Sequence, residues 1–133
     1  MTTHPSGLAT LPNEHPDVPM RMEHTVPLPR CCPISHNPQP GSTLTVRYRT
    51  GERVLEVYSL KQFIQTFVGG HADGTRNMEA MVQQIGRAVA EALAVPVFLH
   101  AHLMLHPEQE MRITLTVKPS GETLPHERGR LRG

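Results

Sequence analysis

Four groups of residues in this 133-residue chain have types and spacings that could do chemistry. The first is Cys31-Cys32-Pro33-Ile34-Ser35-His36-Asn37-Pro38. A thiol in a proline-bounded turn is held rigidly and can project into a cleft. With an ordinary pKa near 8.5, however, only a few per cent of it is thiolate at neutral pH. His36, four residues after Cys32, raises that fraction if the turn folds back. The bland alternative is a buried structural cysteine. Adjacent cysteines do not match the spacing of a tetrahedral zinc site. The second group is Glu79, at the start of an apolar-striped segment. There a carboxylate either complements a helix dipole or accepts two side-by-side N–H donors from a bound heterocycle. The third is Glu56-Val57-Tyr58-Ser59-Leu60-Lys61-Gln62-Phe63. A helix opening here offers free N–H groups, and with Lys61 these suit a phosphate. An ordinary capped helix explains the same residues. The fourth is His100, His102 and His106, which period-2 spacing puts on one side of a strand. Neighbours on that side lie about 7 Å apart, too far to share a zinc, so the expectation is a solvated or interfacial sheet face and no metal.

The elements that must position these groups follow from hydrophobic period and punctuation. Thr43–Arg49 alternates, with Leu44, Val46 and Tyr48 on one face. After the turn Thr50-Gly51-Glu52 a second strand is expected over 53–58, giving a hairpin with one wet face. Ser59 suits an N-cap, and Leu60, Phe63, Ile64 and Phe67 recur at helical spacing until Gly69-Gly70. Thr75 is the expected cap of a second helix. Its stripe is Met78, Met81, Val82, Ile85, Val89, Ala92 and Leu93, and Pro96 follows it. Val97–His106 alternates again. After the turn His106–Gln109, so do Met111, Ile113, Leu115 and Val117. The order β-β-α-α-β-β predicts an α+β domain: a four-stranded antiparallel sheet with both helices on its apolar face. Its two bare sheet edges favour sheet-to-sheet oligomerisation.

Nine of the thirteen prolines fall within residues 1–40. Proline lacks a backbone donor, so this stretch is expected to hold neither helix nor central strand. Residues 1–20 read as a flexible arm, 21–118 as the folded domain, and 119–133 as a polar disordered tail. Thirteen Lys and Arg against twelve Asp and Glu leave a formal charge of +1. That is not the electrostatic footprint of a protein that grips a phosphate backbone. Aromatic residues make up 4% of the chain, with no Trp, so little surface exists for stacking bases. No stretch of about 18 apolar residues is present to span a membrane. The opening MTTHPSGLAT does not read as a signal peptide. Two adjacent cysteines cannot form a long-range disulfide framework, so a reducing, cytoplasmic setting is the expectation.

Cys32-Pro33-Ile34-Ser35-His36-Asn37-Pro38, then Gly41-Ser42 opening a strand, then Glu56-x-x-Ser59-Leu60-Lys61-x-Phe63, resemble the 7-cyano-7-deazaguanine reductase family. Asn77-Met78-Glu79 resembles that family's Phe-His-Glu motif. The resemblance covers about residues 22–118. It implies the tunnelling fold, in which subunits assemble into a ring or barrel (a pentamer or decamer) with sites at their interfaces. It also implies a small deazapurine substrate, NADPH as hydride donor, and the queuosine pathway. By this resemblance Cys32 is the nucleophile that forms a covalent thioimide with the nitrile, and Glu79 grips the deazaguanine edge. Glu56 and Ser59 are implied in substrate binding, and Ser59 with Lys61 in NADPH binding. A nitrile accepts hydride poorly, and thiolate addition converts it to an imine-like carbon that accepts one.

Three positions depart from the family pattern. The proton-donating Asp is Gln39 here, the His before the binding Glu is Met78, and a Lys of the NADPH signature is Tyr58. His36 or His71 is the alternative acid, because imidazolium is available near neutral pH. Two rival functions stand beside reduction. One is amidine formation from ammonia on the same thioimide, as in the archaeosine-forming branch, where a nucleic-acid substrate enters. The other is deazapurine binding without catalysis.

Overall fold

The computed structural model describes residues 1–70, 74 and 77–120. Seven strands and two helices make up these residues: β1 (Thr2–Thr3), β2 (Ala9–Pro12), β3 (Arg21–Pro27), β4 (Thr43–Arg49), β5 (Arg53–Leu55), α1 (Val57–Gln65), α2 (Met78–Leu93), β6 (Val97–Leu105) and β7 (Gln109–Val117). The main sheet has four antiparallel strands in the order β3-β4-β6-β7, and a small sheet has the order β1-β2-β5. Alternation sets the faces of the main sheet. Leu44, Val46, Tyr48, Val97, Leu99, Ala101 and Leu103 point into the core. Both helices contribute to that same core, α1 through Leu60, Phe63 and Ile64, α2 through Met81, Val82, Ile85, Val89, Ala90 and Leu93. Burying each large side chain contributes roughly 1.5–3 kcal/mol. Gly86 lets α2 approach closely, since a Cβ there would stand 2.9 Å from both Leu99 and Val117.

The expected four-stranded sheet with two helices is present, but its first strand pair differs. Residues 43–49 pair with residues 21–27, not with 53–58. The turn after β4 does not return the chain along β4. Thr50 instead bonds Met20, its N–H to the carbonyl (2.9 Å) and its hydroxyl accepting the Met20 N–H (2.8 Å). The chain then leaves the main sheet as β5 and pairs with β2. The expected second strand also stops early. Glu56 caps α1, its carboxylate accepting the N–H groups of Tyr58 and Ser59, so Val57 and Tyr58 are helical. The cap is therefore Glu56 rather than Ser59, which is buried inside the first turn. The cap of α2 is Asn77, whose side chain accepts from Ala80 N–H; the expected cap Thr75 lies outside the described residues. The whole order includes β1, β2 and β5, so the chain is not a bare ββααββ unit.

The expectations for the proline-rich start need correction as well. Residues 1–20 carry β1 and β2, with Leu8, Ala9 and Thr10 buried. β2 is central in its small sheet although it ends in Pro12. This is possible because β1 pairs only with Ala9 and Thr10, so the missing donor of Pro12 faces no second neighbour. β3 obeys the rule, as an edge strand with Pro27 at its last position. The expected tail lies outside the described residues from residue 121 onward. Among the described residues no helix is long and apolar enough to cross a membrane.

Candidate active site

The loop between β3 and β4 carries the two thiols, and short-range polar residues shape it. The N–H groups of Cys31 and Cys32 both donate to the carbonyl of Asn37, each at 3.0 Å. His36 N–H donates to the Cys32 carbonyl at 2.9 Å, so the chain folds back over the thiol. His36 takes φ 60°, in the left-handed region. The Asn37 side chain is buried and reaches the β6–β7 turn. Its Oδ1 accepts from His106 N–H (2.9 Å), and its Nδ2 donates to the His106 carbonyl (3.0 Å). Ser42 adds a second tie, with Met104 N–H donating to its hydroxyl at 2.8 Å.

The adjacent cysteines face opposite environments. Cys31 is fully buried, and its thiol lies 3.8 Å from the carbonyl of Asn77. Burial pushes that thiol up, and the charge of Cys32 adds to the effect. Cys32 is half-buried. The Ser35 hydroxyl holds its thiol below the ordinary range, helped by the N–H groups of Ser35 and Ile34 against some desolvation. The Ser35 N–H lies 3.4 Å from Cys32 Sγ. Cys31 is therefore sealed in the core, while Cys32 is accessible with its thiol held low, the two conditions that favour a reactive cysteine.

The Cys31–Asn77 contact brings this loop to the start of α2. Glu79, in the first turn of α2, is exposed two residues beyond Asn77. Gly69 N–H donates to the Arg30 carbonyl (2.8 Å) and ties in the end of the α1 region. Glu56, Ser59 and Lys61 are not part of this cluster. Glu56 and Ser59 sit at the start of α1, whose nine residues span about 14 Å, and Lys61 is its middle residue. The Glu56 carboxylate is occupied with capping. The buried Ser59 hydroxyl accepts Ala9 N–H at 2.8 Å and donates to the Glu56 carbonyl at 2.9 Å. Lys61 is exposed and makes no ion pair among the described residues.

Gln39 is a brace: its Nε2 donates to the His36 carbonyl (3.0 Å) and to Asn37 Oδ1 (3.1 Å). Met78 is half-buried against the core, and Tyr58 is exposed. His71 lies outside the described residues. On the wet face of the main sheet, His100 is hydrogen-bonded to Thr114 (3.2 Å) and His102 to Glu110 (3.2 Å); β6 ends at Leu105, so His106, expected on the same strand face, lies instead in the β6–β7 turn, where it is exposed. Among the described residues no three His, Cys, Asp or Glu side chains gather as metal ligands. Ser35 and Asn37 shape the loop although neither stands out in the sequence as a functional residue. Small polar side chains that bond their own turn are the available signal.

An antiparallel sheet backed by two helices, with a thiol held below its ordinary range on the β3–β4 loop and a Cys31–Asn77 contact joining that loop to the start of the Glu79 helix, is the arrangement of a candidate thiol enzyme. No family model matches the chain. The chain is 33% identical over 96 residues to the NADPH-dependent 7-cyano-7-deazaguanine reductase of Anaeromyxobacter sp. (strain Fw109-5), covering 71% of this chain and 75% of that protein. It belongs to the 7-cyano-7-deazaguanine reductase family.

Proposed function

We propose that this protein reduces the nitrile of 7-cyano-7-deazaguanine to an aminomethyl group through a thioimide on Cys32. The observation that carries this reading is the half-buried Cys32 thiol, held low by the Ser35 turn and tied through Cys31 to the helix that bears Glu79. The Cys32 thiolate adds to the nitrile carbon. A C–S bond forms, one C–N π bond breaks, and the electron pair on nitrogen takes up one proton, leaving a neutral thioimide. Gln39 cannot supply that proton, since a carboxamide N–H is not an acid near neutral pH; its Nε2 instead braces the loop at the His36 carbonyl and Asn37 Oδ1. His36, folded back over Cys32, is the proposed donor. Glu79 is free to accept paired N–H donors from the deazaguanine edge.

Reduction to the aminomethyl group would take two hydrides, one from each of two NADPH molecules, with the C–S bond breaking after the first so that the Cys32 thiolate is released. Of the two residues assigned to NADPH, Lys61 fits, being exposed and available to a phosphate. Ser59 does not, because its hydroxyl is buried and already bonded to Ala9 and Glu56. Glu56 also lies at the end of α1 remote from the Gly69–Arg30 bond that ties the α1 region to the cysteine loop within one protomer. A ring oligomer, joined through the β3 and β7 edges, would let a neighbouring protomer's α1 approach the Cys32 loop. This separation supports assembly as part of the function.

Incubation with 7-cyano-7-deazaguanine should add the whole nitrile mass to Cys32, and loss of NADPH absorbance should follow. Absence of any adduct on the wild-type protein would sink the proposal. The occupied Ser59 hydroxyl, together with Tyr58, favours one second reading: an amidine-forming relative that uses ammonia. Adduct formation with no NADPH consumption under any condition, and an amidine product with ammonia, would select it. Reversible deazapurine binding without an adduct would select a binding protein.

A further inference from the structure

The wet face of the main sheet gathers charge at the end remote from Cys32. Arg21 opens β3, Arg49 closes β4, and the two are direct cross-strand partners. Both are exposed and lie on the same face, which puts their Cβ atoms about 5 Å apart. Like charges so placed repel unless something neutralises them. One row inward the repulsion is solved internally: Glu23 pairs with Arg47, its own cross-strand partner, at 2.5 Å. The Arg47 guanidinium also lies over the Phe98 ring, 5.2 Å from its centroid. Arg21 and Arg49 have no carboxylate partner among the described residues. Together with Phe98 and Thr116, these residues line an open cleft of about 690 Å³.

We propose that this corner binds the phosphoryl group of a small phosphate ester, held between Arg21 and Arg49. Two guanidinium forks on adjacent strands match a dianion in charge, and they match phosphate oxygens in geometry. The Arg47–Phe98 stack walls one side, and the cleft has the volume of a small-molecule site. Two free arginines suit one phosphoryl group, whereas a nucleic acid would need a longer basic track than a chain of net charge +1 provides. The site is separate from the nitrile chemistry, since the length of β3 places about 20 Å between Arg21 and the start of the cysteine loop.

Pyrophosphate is the probe, titrated calorimetrically into the full-length protein at low salt. Saturable binding is expected, and R21Q and R49Q should each weaken it roughly tenfold. R21Q/R49Q should abolish it while melting no lower than wild type without ligand, because a repulsion has been removed. R49K, which keeps charge but loses the fork, should fall between wild type and R49Q. Absence of saturable binding, or equal binding by R21Q/R49Q, would overturn the proposal. Affinity for single-stranded RNA that rises with strand length and exceeds that for pyrophosphate would overturn it in favour of a nucleic-acid surface.

Discussion

Replacing Asn37 with alanine tests how the cysteine loop is held. The substitution removes two hydrogen bonds to the β6–β7 turn, from Nδ2 to the His106 carbonyl (3.0 Å) and from His106 N–H to Oδ1 (2.9 Å). It also removes the brace from Gln39 (3.1 Å). The Asn37 carbonyl stays, so Cys31 and Cys32 keep their backbone acceptor. A net contribution of about 0.5–1.5 kcal/mol per bond makes the His106 pair worth about 1–3 kcal/mol. The Gln39 bond, nearer the surface, adds less. For a domain of this length that loss lowers Tm by about 4–11 °C. Scanning calorimetry reads the loss directly. The second readout is the thiol. Once the loop is untied from His106, Ser35 no longer holds a fixed position against Cys32, and the pH profile of Cys32 alkylation should move up toward that of a free thiol. A Tm within about 1 °C of wild type, with an unmoved alkylation profile, would refute the clamp.

Ser35→Ala should raise the Cys32 pKa, because the hydroxyl is the largest group holding the thiolate; iodoacetamide rates between pH 6 and 9 read the change, and an unaltered profile would contradict it. His24, stacked on Tyr48 at 5.8 Å with an unpartnered buried Nε2, has its pKa lowered by burial. The unfolded chain therefore binds this proton first, so the contribution of His24 to stability is full above the ordinary value of 6.5 and is lost as pH falls below it. Melting curves of wild type should drop more between pH 7 and pH 5 than those of His24→Phe, and parallel curves would exclude the effect. Gly86→Val places methyls where even a Cβ meets Leu99 and Val117 at 2.9 Å; overpacking should cost about 1–3 kcal/mol, seen as a lower denaturant midpoint.

Local chemistry was readable along the chain wherever a rule acts over a few residues. The apolar stripes of α1 and α2, the alternating faces of β6 and β7 and the stop at Gly69-Gly70 follow from period and punctuation, which need no partner. So does the proline-bounded turn that holds Cys32, since its bonds join residues 31 to 37. Three things depended on residues far apart in sequence. The partner of β4 is β3, because Thr50 bonds Met20 and turns the chain away from its own strand. The proline-rich start is folded, because Ser59 and β5 supply the bonds that Ala9 and its neighbours need. Cys31 and Cys32, identical in type and adjacent, differ because one thiol is sealed against Asn77 and the other meets Ser35. Burial and long-range pairing are properties of the packed chain, and no local pattern encodes which neighbour arrives.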